Sequence, residues 1–248
     1  MFYRWVNYIF AIYFSNNNYG SAVIALTNSV LTCSAIQFAY ASNKGGTQTL
    51  VLKNTVVYLS TLIYNHKTAD SSILFDGATL VPKAEAMNFL PSGLPSPTLG
   101  ANGLVISNAF EVTADVGMKG EGDLVKMGAG KLTLTSNQSF SGDVVVSNGT
   151  FTSSSTFAGG LRAASGSTID VANATFGGDI AFEAGAVTPA TNGVDWAVNR
   201  FVTVAKTTAN VTYPSESDED GRHFFVRTQG GLQMLCYGRK GGLVLSVR

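Results

Sequence analysis

A short motif recurs along this chain: an apolar residue, any residue, Asn or Gly, a small residue, then an apolar residue. It reads Leu26-Thr27-Asn28-Ser29-Val30, then Leu52-Lys53-Asn54-Thr55-Val56, then a Gly version, Phe75-Asp76-Gly77-Ala78-Thr79-Leu80. It returns as Ile106-Ser107-Asn108-Ala109-Phe110, Val146-Ser147-Asn148-Gly149-Thr150-Phe151 and Val171-Ala172-Asn173-Ala174-Thr175-Phe176, at successive spacings of 26, 23, 31, 40 and 25 residues. Self-similarity at 20 to 50 residues marks stacked repeats rather than one compact core. Asn and Gly tolerate the left-handed backbone of a tight bend, so each motif fits a strand, a corner and a second strand. The expected fold is all-β: a right-handed parallel β-helix (solenoid) with an antiparallel C-terminal β cap.

Composition agrees. Charged residues are 13% of the chain, about half the usual ~25%. No segment carries good helix formers at 3.6-residue spacing over three turns. Strand patterns abound instead, as in Lys131-Leu132-Thr133-Leu134 and Arg200-Phe201-Val202-Thr203-Val204. The 16 basic and 16 acidic residues cancel, and no Lys/Arg cluster exists. That argues against nucleic acid as a partner and against electrostatic docking on anionic lipid.

Four zones follow. Residues 1–19 are an N-terminal apolar segment with two readings. Residues 5–14, behind Arg4, have the length of a signal-peptide core, with Ser21-Ala22 a weak cleavage site. The rival is a first β rung. No run reaches the ~20 apolar residues of a spanning helix, so no transmembrane segment is expected. Residues 20–188 form the solenoid, with Lys44-Gly45-Gly46 and Lys67-Thr68-Ala69-Asp70 as polar returns. Residues 83–100, in a stretch where Pro82, Pro91, Pro95 and Pro97 gather, are expected to bulge out as a loop, with a helical turn over residues 83–89. Residues 189–248 are expected to cap the open end. Phe224 to Thr228 and Leu232 to Leu235 flank Gln229-Gly230-Gly231 as a hairpin, and residues 243–247 form a last strand.

One stretch carries a family pattern. Residues 120–151 read GEGDLVKMGAGKLTLTSNQSFSGDVVVSNGTF. This resembles the autotransporter-associated β-strand repeat, also called the passenger-associated transport repeat. The match rests on Gly120, Gly122, Leu124, Lys126, Gly128, Gly130, Leu132, Leu134, Gly142, Val146 and Gly149. The chain departs with Phe140 for Tyr, Val144 for Thr, Phe151 for Leu, and Gln138 at the family's Asn position, Asn137 standing one place early. The pattern covers 32 of 248 residues. Residues 75–106 look like the lead-in to such a repeat. The resemblance implies a bacterial surface or secreted passenger, outer membrane-associated, acting as a rigid stalk or adhesin that aids its own export by folding progressively. Surface glycans or cell-surface components are the partners it implies, with the chain monomeric or part of a longer one. A translocator barrel needs many more amphipathic strands, so a complete autotransporter is not expected here.

Stacked corners assign Asn28, Asn54, Asn108, Asn148 and Asn173 to structure, as a side-chain amide ladder. Asn137, Asn148, Asn173 and Asn210 also have the form of glycan acceptors, which a bacterial source disfavours.

Chemistry is harder to find. Asp115, Asp123, Asp143, Asp170 and Asp179 are scattered singly near turns, where Asp caps backbone groups. Some β-helices bind or cleave polysaccharide with converging carboxylates, and that is the alternative function. The acidic stretch Glu216, Asp218, Glu219, Asp220 reads as a solvated turn rather than a calcium loop. His66 and His223 lack a partner at metal-ligand spacing. Cys33 and Cys236 stand about 200 residues apart and are expected to be unpaired. The expectation is no catalytic, cofactor-binding or metal residue and no enzyme activity.

Overall fold

In the computed structural model, residues 7–9, 12–13, 22–38, 47–64, 71–186, 188, 191–196 and 199–239 are described. The N-terminal leader reading, the returns at 44–46 and 67–70, His66 and the strand expected at 243–247 lie wholly or partly outside these residues. Among them there is no α-helix, and the chain winds as a parallel β-solenoid.

Each turn crosses three faces. An entry face begins with Ala22–Thr27, Gln48–Lys53 and Ser72–Asp76. A long face of ten strands runs from Asn7–Ile9 to Val211–Thr212. An exit face holds a three-stranded sheet ending at Thr61–Tyr64, then a five-stranded sheet from Ala86–Leu90 to Thr168–Asp170. Strands on the long and exit faces pair in parallel with the turn above and below.

The first corner is the one the motif describes. Asn28 (φ 49°), Asn54 (φ 45°) and Gly77 (φ 71°) are left-handed at equivalent positions. Their amides climb the stack: Asn28 N–H to Lys53 O at 3.0 Å, Asn54 N–H to Asp76 O at 3.0 Å, Gly77 N–H to Gly103 O at 2.8 Å. Side chains alternate in and out because the strand period is two. Inward residues of the long face stack as Leu104, Leu124, Val144, Leu161 and Ile180 in one column. All five are fully buried, and each apolar side chain so buried contributes about 2 kcal/mol. On the exit face the column is Val112, Leu132, Phe151, Ile169.

The turn length changes along the stack. Val30 pairs with Val56, 26 residues on, whereas Leu104 pairs with Leu124 and Leu124 with Val144, 20 residues each. This corrects the single Asn ladder. The 40-residue spacing from Asn108 to Asn148 is two turns of 20, with Gly128 between. Asn108 and Asn148 occupy the second corner, between long and exit faces, and Asn173 sits past the exit face in the turn Val171 to Ala174. An identical local motif served three different bends.

The proline-rich stretch also differs from expectation. Ala86–Leu90 is a strand, not a helical turn, and pairs with Val112–Ala114. Thr98–Leu99 pairs with Leu74–Phe75 and with Lys119–Gly120. Phe89, Leu90 and Leu99 are fully buried. The burial of these apolar residues outweighs the prolines, which fall in the connection between the two strands or, for Pro82, at a strand's last residue.

At the far end, parallel pairing persists through Val211–Thr212. Phe201–Thr207 meets the stack at Thr207 beside Phe176 and pairs antiparallel with Leu232–Gly238, which pairs antiparallel with His223–Gln229. Gly230 (φ 59°) and Gly231 (φ 81°) make the two-residue turn, both left-handed as a type I′ hairpin requires.

Candidate functional site

The family-like stretch gains its physical meaning at the second corner. Lys126 stands in an inward column, between Ile106 and Val146, and is fully buried. Its ammonium donates to three backbone carbonyls: Met127 O at 2.8 Å, Gly128 O at 2.6 Å and Asn148 O at 3.1 Å. The stem fills the core while the head closes the corner and ties it to the next turn. Desolvation pushes the Lys126 pKa down to about 8. Asn108 donates through Nδ2 to Phe110 O and Lys131 O, again corner to next turn.

Glycines allow the turns to touch. A Cβ on Gly122 would fall 1.9 Å from Gly100 O, and one on Gly142 2.5 Å from Gly122 C. No side chain fits between backbones at that distance. Gln138 is buried and works as a backbone surrogate. Its Oε1 accepts from Met118 N–H at 2.9 Å, and its Nε2 donates to Ser136 O at 2.7 Å. Residues 138–141 carry the entry face between Lys119–Gly120 and Thr156–Phe157 through Ser139 N–H to Met118 O and Gln138 N–H to Thr156 O. Phe140 is buried beneath them.

The scattered aspartates resolve into two groups. Asp123, Asp143 and Asp179 share the first corner, each directly before a long-face strand. Each carboxylate accepts the amide of the next turn: Asp143 N–H to Asp123 at 2.7 Å, Gly160 N–H to Asp143 at 2.9 Å, Asn210 N–H to Asp179 at 3.0 Å. Arg162 pairs with Asp143 at 2.7 Å. Asp76, one column over, accepts from the Asn102 side chain and backbone, which hold its carboxyl below the usual range. Asp170 instead lies on the exit face beside Thr152, and Asp115 bonds Thr135. The structure does not bring Asp115, Asp143 and Asp170 together.

Cys33 and Cys236 are free and buried. Burial pushes the Cys33 thiol up to about 11. His223 lies in the terminal hairpin with its ring 5.9 Å from Phe225. Among the described residues no three His, Cys, Asp or Glu side chains are grouped to hold a metal ion, and no helix is long and apolar enough to cross a membrane.

Among the described residues a concave site lies where the solenoid meets the hairpin. A cleft of about 310 Å³ is walled by Thr188, Thr191, Glu216, Asp218, Phe224 and Tyr237. Tyr237 donates its hydroxyl to Asp218 at 2.8 Å, and its ring packs against Phe224 (5.0 Å) and Trp196 (6.3 Å). Arg222 ion-pairs with Asp218 and Asp220, and its guanidinium lies 4.8 Å from the Trp196 ring centroid. Burial would raise the Asp218 carboxyl. The Arg222 amide, the Tyr237 hydroxyl, the Arg222 charge and the Asp220 amide outweigh it and hold the carboxyl below its ordinary value. Burial, then the bond and charge of Asp218, push Tyr237 up to about 12. The acidic stretch is thus a braced turn. Sequence reading missed the cleft because its walls come from residues 184–237, joined only by the fold.

Residues 124–152 match the model of the passenger-associated-transport-repeat family. No curated protein matches the chain. No solved structure matches it either.

Proposed function

We propose that this chain is a structural and adhesive module of a bacterial autotransporter-like passenger, displayed at the cell surface or secreted, with no catalysis of its own. The observation that carries the reading is the repeat at residues 124–152 lying in mid-stack of a parallel β-solenoid. Repeat stacks gain stability turn by turn from nearest neighbours, so folding can propagate from one end. A segment folding that way outside a membrane withdraws from its exit pore as it forms. Threefold-bonded Lys126 and the touching glycines supply close turn-to-turn contacts without long-range assembly.

The non-catalytic part rests on the carboxylates. Asp123, Asp143 and Asp179 are engaged with backbone amides, and Asp218 is bonded through both oxygens. A carboxyl group whose oxygens are occupied by the protein's own donors is poorly placed to reach a substrate proton, which general acid–base catalysis requires.

The test fuses the chain between a signal peptide and an outer-membrane translocator barrel. Externally added protease should release a resistant solenoid fragment from intact cells. Chain retained in the periplasm, or displayed and digested completely, would overturn the passenger reading. Reducing ends released from a polysaccharide panel by the purified chain would overturn the non-catalytic one.

A further inference from the structure

The cleft between the last solenoid turns and the hairpin has the build of a ligand site. Its ~310 Å³ sits at the lower end of ligand pockets, which combine aromatic walls with a few convergent polar groups. Phe224 and Tyr237 supply the apolar wall. Glu216 and the Thr191 hydroxyl oxygen, whose proton is donated to Thr188 O at 2.9 Å, supply acceptors. The wall is held before any ligand arrives, because Tyr237 is fixed by Asp218, Phe224 and Trp196. Preorganisation of this kind lowers the ordering cost of binding.

From this geometry we infer that the cleft binds a neutral saccharide of one or two rings. The inference rests on the adhesive reading above and names its ligand class. A pyranose has a C–H face that packs on an aromatic ring and a rim of hydroxyls that donate to carboxylates. Charge narrows the choice. The wall carries two acidic side chains, Glu216 and Asp218, while Arg222, the neighbouring cation, is committed to Asp218, Asp220 and the Trp196 face. A uronic or sialic acid would meet repulsion from these acidic side chains, and the described lining of the cleft holds no basic residue to answer it. The Asp218–Tyr237 bond keeps the tyrosine proton internal, so the phenolic oxygen faces a ligand as an acceptor.

Trp196 offers the readout. The chain has two tryptophans, so Trp5→Phe leaves Trp196 as sole reporter beside Tyr237. Lactose, cellobiose, N,N′-diacetylchitobiose and digalacturonic acid are titrated against the full chain. Trp196 fluorescence is followed, and saturation-transfer NMR on the sugar protons gives a signal independent of the tryptophan. At least one neutral disaccharide should bind saturably and digalacturonic acid should not. Tyr237→Ala should weaken that binding by about tenfold or more. Because Tyr237 also supports the hairpin, Glu216→Lys is the second variant. It alters a rim charge only, and should weaken the neutral sugar while admitting digalacturonic acid. Absence of saturable binding by every neutral sugar in both readouts overturns the inference, as does stronger binding of the acidic one to the unaltered cleft. Protease-resistant surface display is measured separately, so a failed sugar test with intact display removes the ligand and leaves the passenger reading standing.

Discussion

Replacing Lys126 with Met keeps the length and apolar volume of the stem and removes the ammonium. Three carbonyls at 2.6 to 3.1 Å then lose their donor at a partly buried corner, and the cost is largest where water cannot replace it. Each buried acceptor left unpaired costs about 1–3 kcal/mol, together roughly 3–9 kcal/mol. Against this, the substitution relieves the burial of a charge. The shift from 10.5 to about 8 corresponds to about 3 kcal/mol. The balance is a loss of up to about 6 kcal/mol, centred on about 3 kcal/mol, in line with breaking a buried charged interaction from one side. The assay is guanidinium unfolding with hydrogen exchange of residues 104–153, the turns on either side. A pH series adds a second signature. The folded pKa lies below the unfolded one, so the buried charge costs most below pH 8 and that cost falls as pH rises toward 10.5. Wild type should therefore gain stability over Lys126→Met by up to about 3 kcal/mol across that window. A Met variant as stable as wild type at pH 7, with unchanged exchange, would refute the claim that the lysine closes the corner.

Other consequences are equally direct. Gly122→Ala puts a methyl into the Gly100 carbonyl and should cost about 2 kcal/mol or more, read as a lowered melting temperature. Asp143→Asn keeps the acceptor for Gly160 N–H and loses only the exposed Arg162 pair; its effect on the unfolding midpoint should stay under about 1 kcal/mol. Asp218→Asn removes a hydrogen bond and charge that raise Tyr237, so spectrophotometric titration should show that phenol ionising at lower pH. Truncation before residue 222 uncovers the edge of Phe201–Thr207 and should promote self-association in light scattering across concentrations.

The fold was legible in the sequence because inward positions must be apolar and corners must tolerate positive φ. Both rules hold at Asn28, Asn54 and Gly77. Register was less legible. An Asn flanked by apolar residues suits any bend, so Asn108, Asn148 and Asn173 were equated with a corner they do not share. A sharper signal was present: Gly122-Asp123-Leu124, Gly142-Asp143-Val144 and Gly178-Asp179-Ile180 repeat a glycine that permits contact between turns and an aspartate that caps the next amide. The prolines misled because Pro82 falls at a strand end and Ala86–Leu90 begins beyond it. Lys126 was readable as a family position, but its burial was not, since a lysine in an alternating strand reads as an outward residue. The end cleft depends on how the hairpin docks onto the last turns, which no local pattern encodes.

The central claim is the stack itself, one turn per strand spacing. Thr79, Val105, Val125, Val145, Arg162 and Ala181 are successive neighbours on the long face. Nitroxide pairs in a background with Cys33 and Cys236 replaced by Ala, holding one label at Ala181 and moving the other to Val105, Thr79 and Val56, measure it by electron–electron resonance. A stack of one strand per turn gives backbone separations of about 19, 24 and 29 Å, increasing by about 4.8 Å per turn. Separations that fail to grow in that order would contradict it.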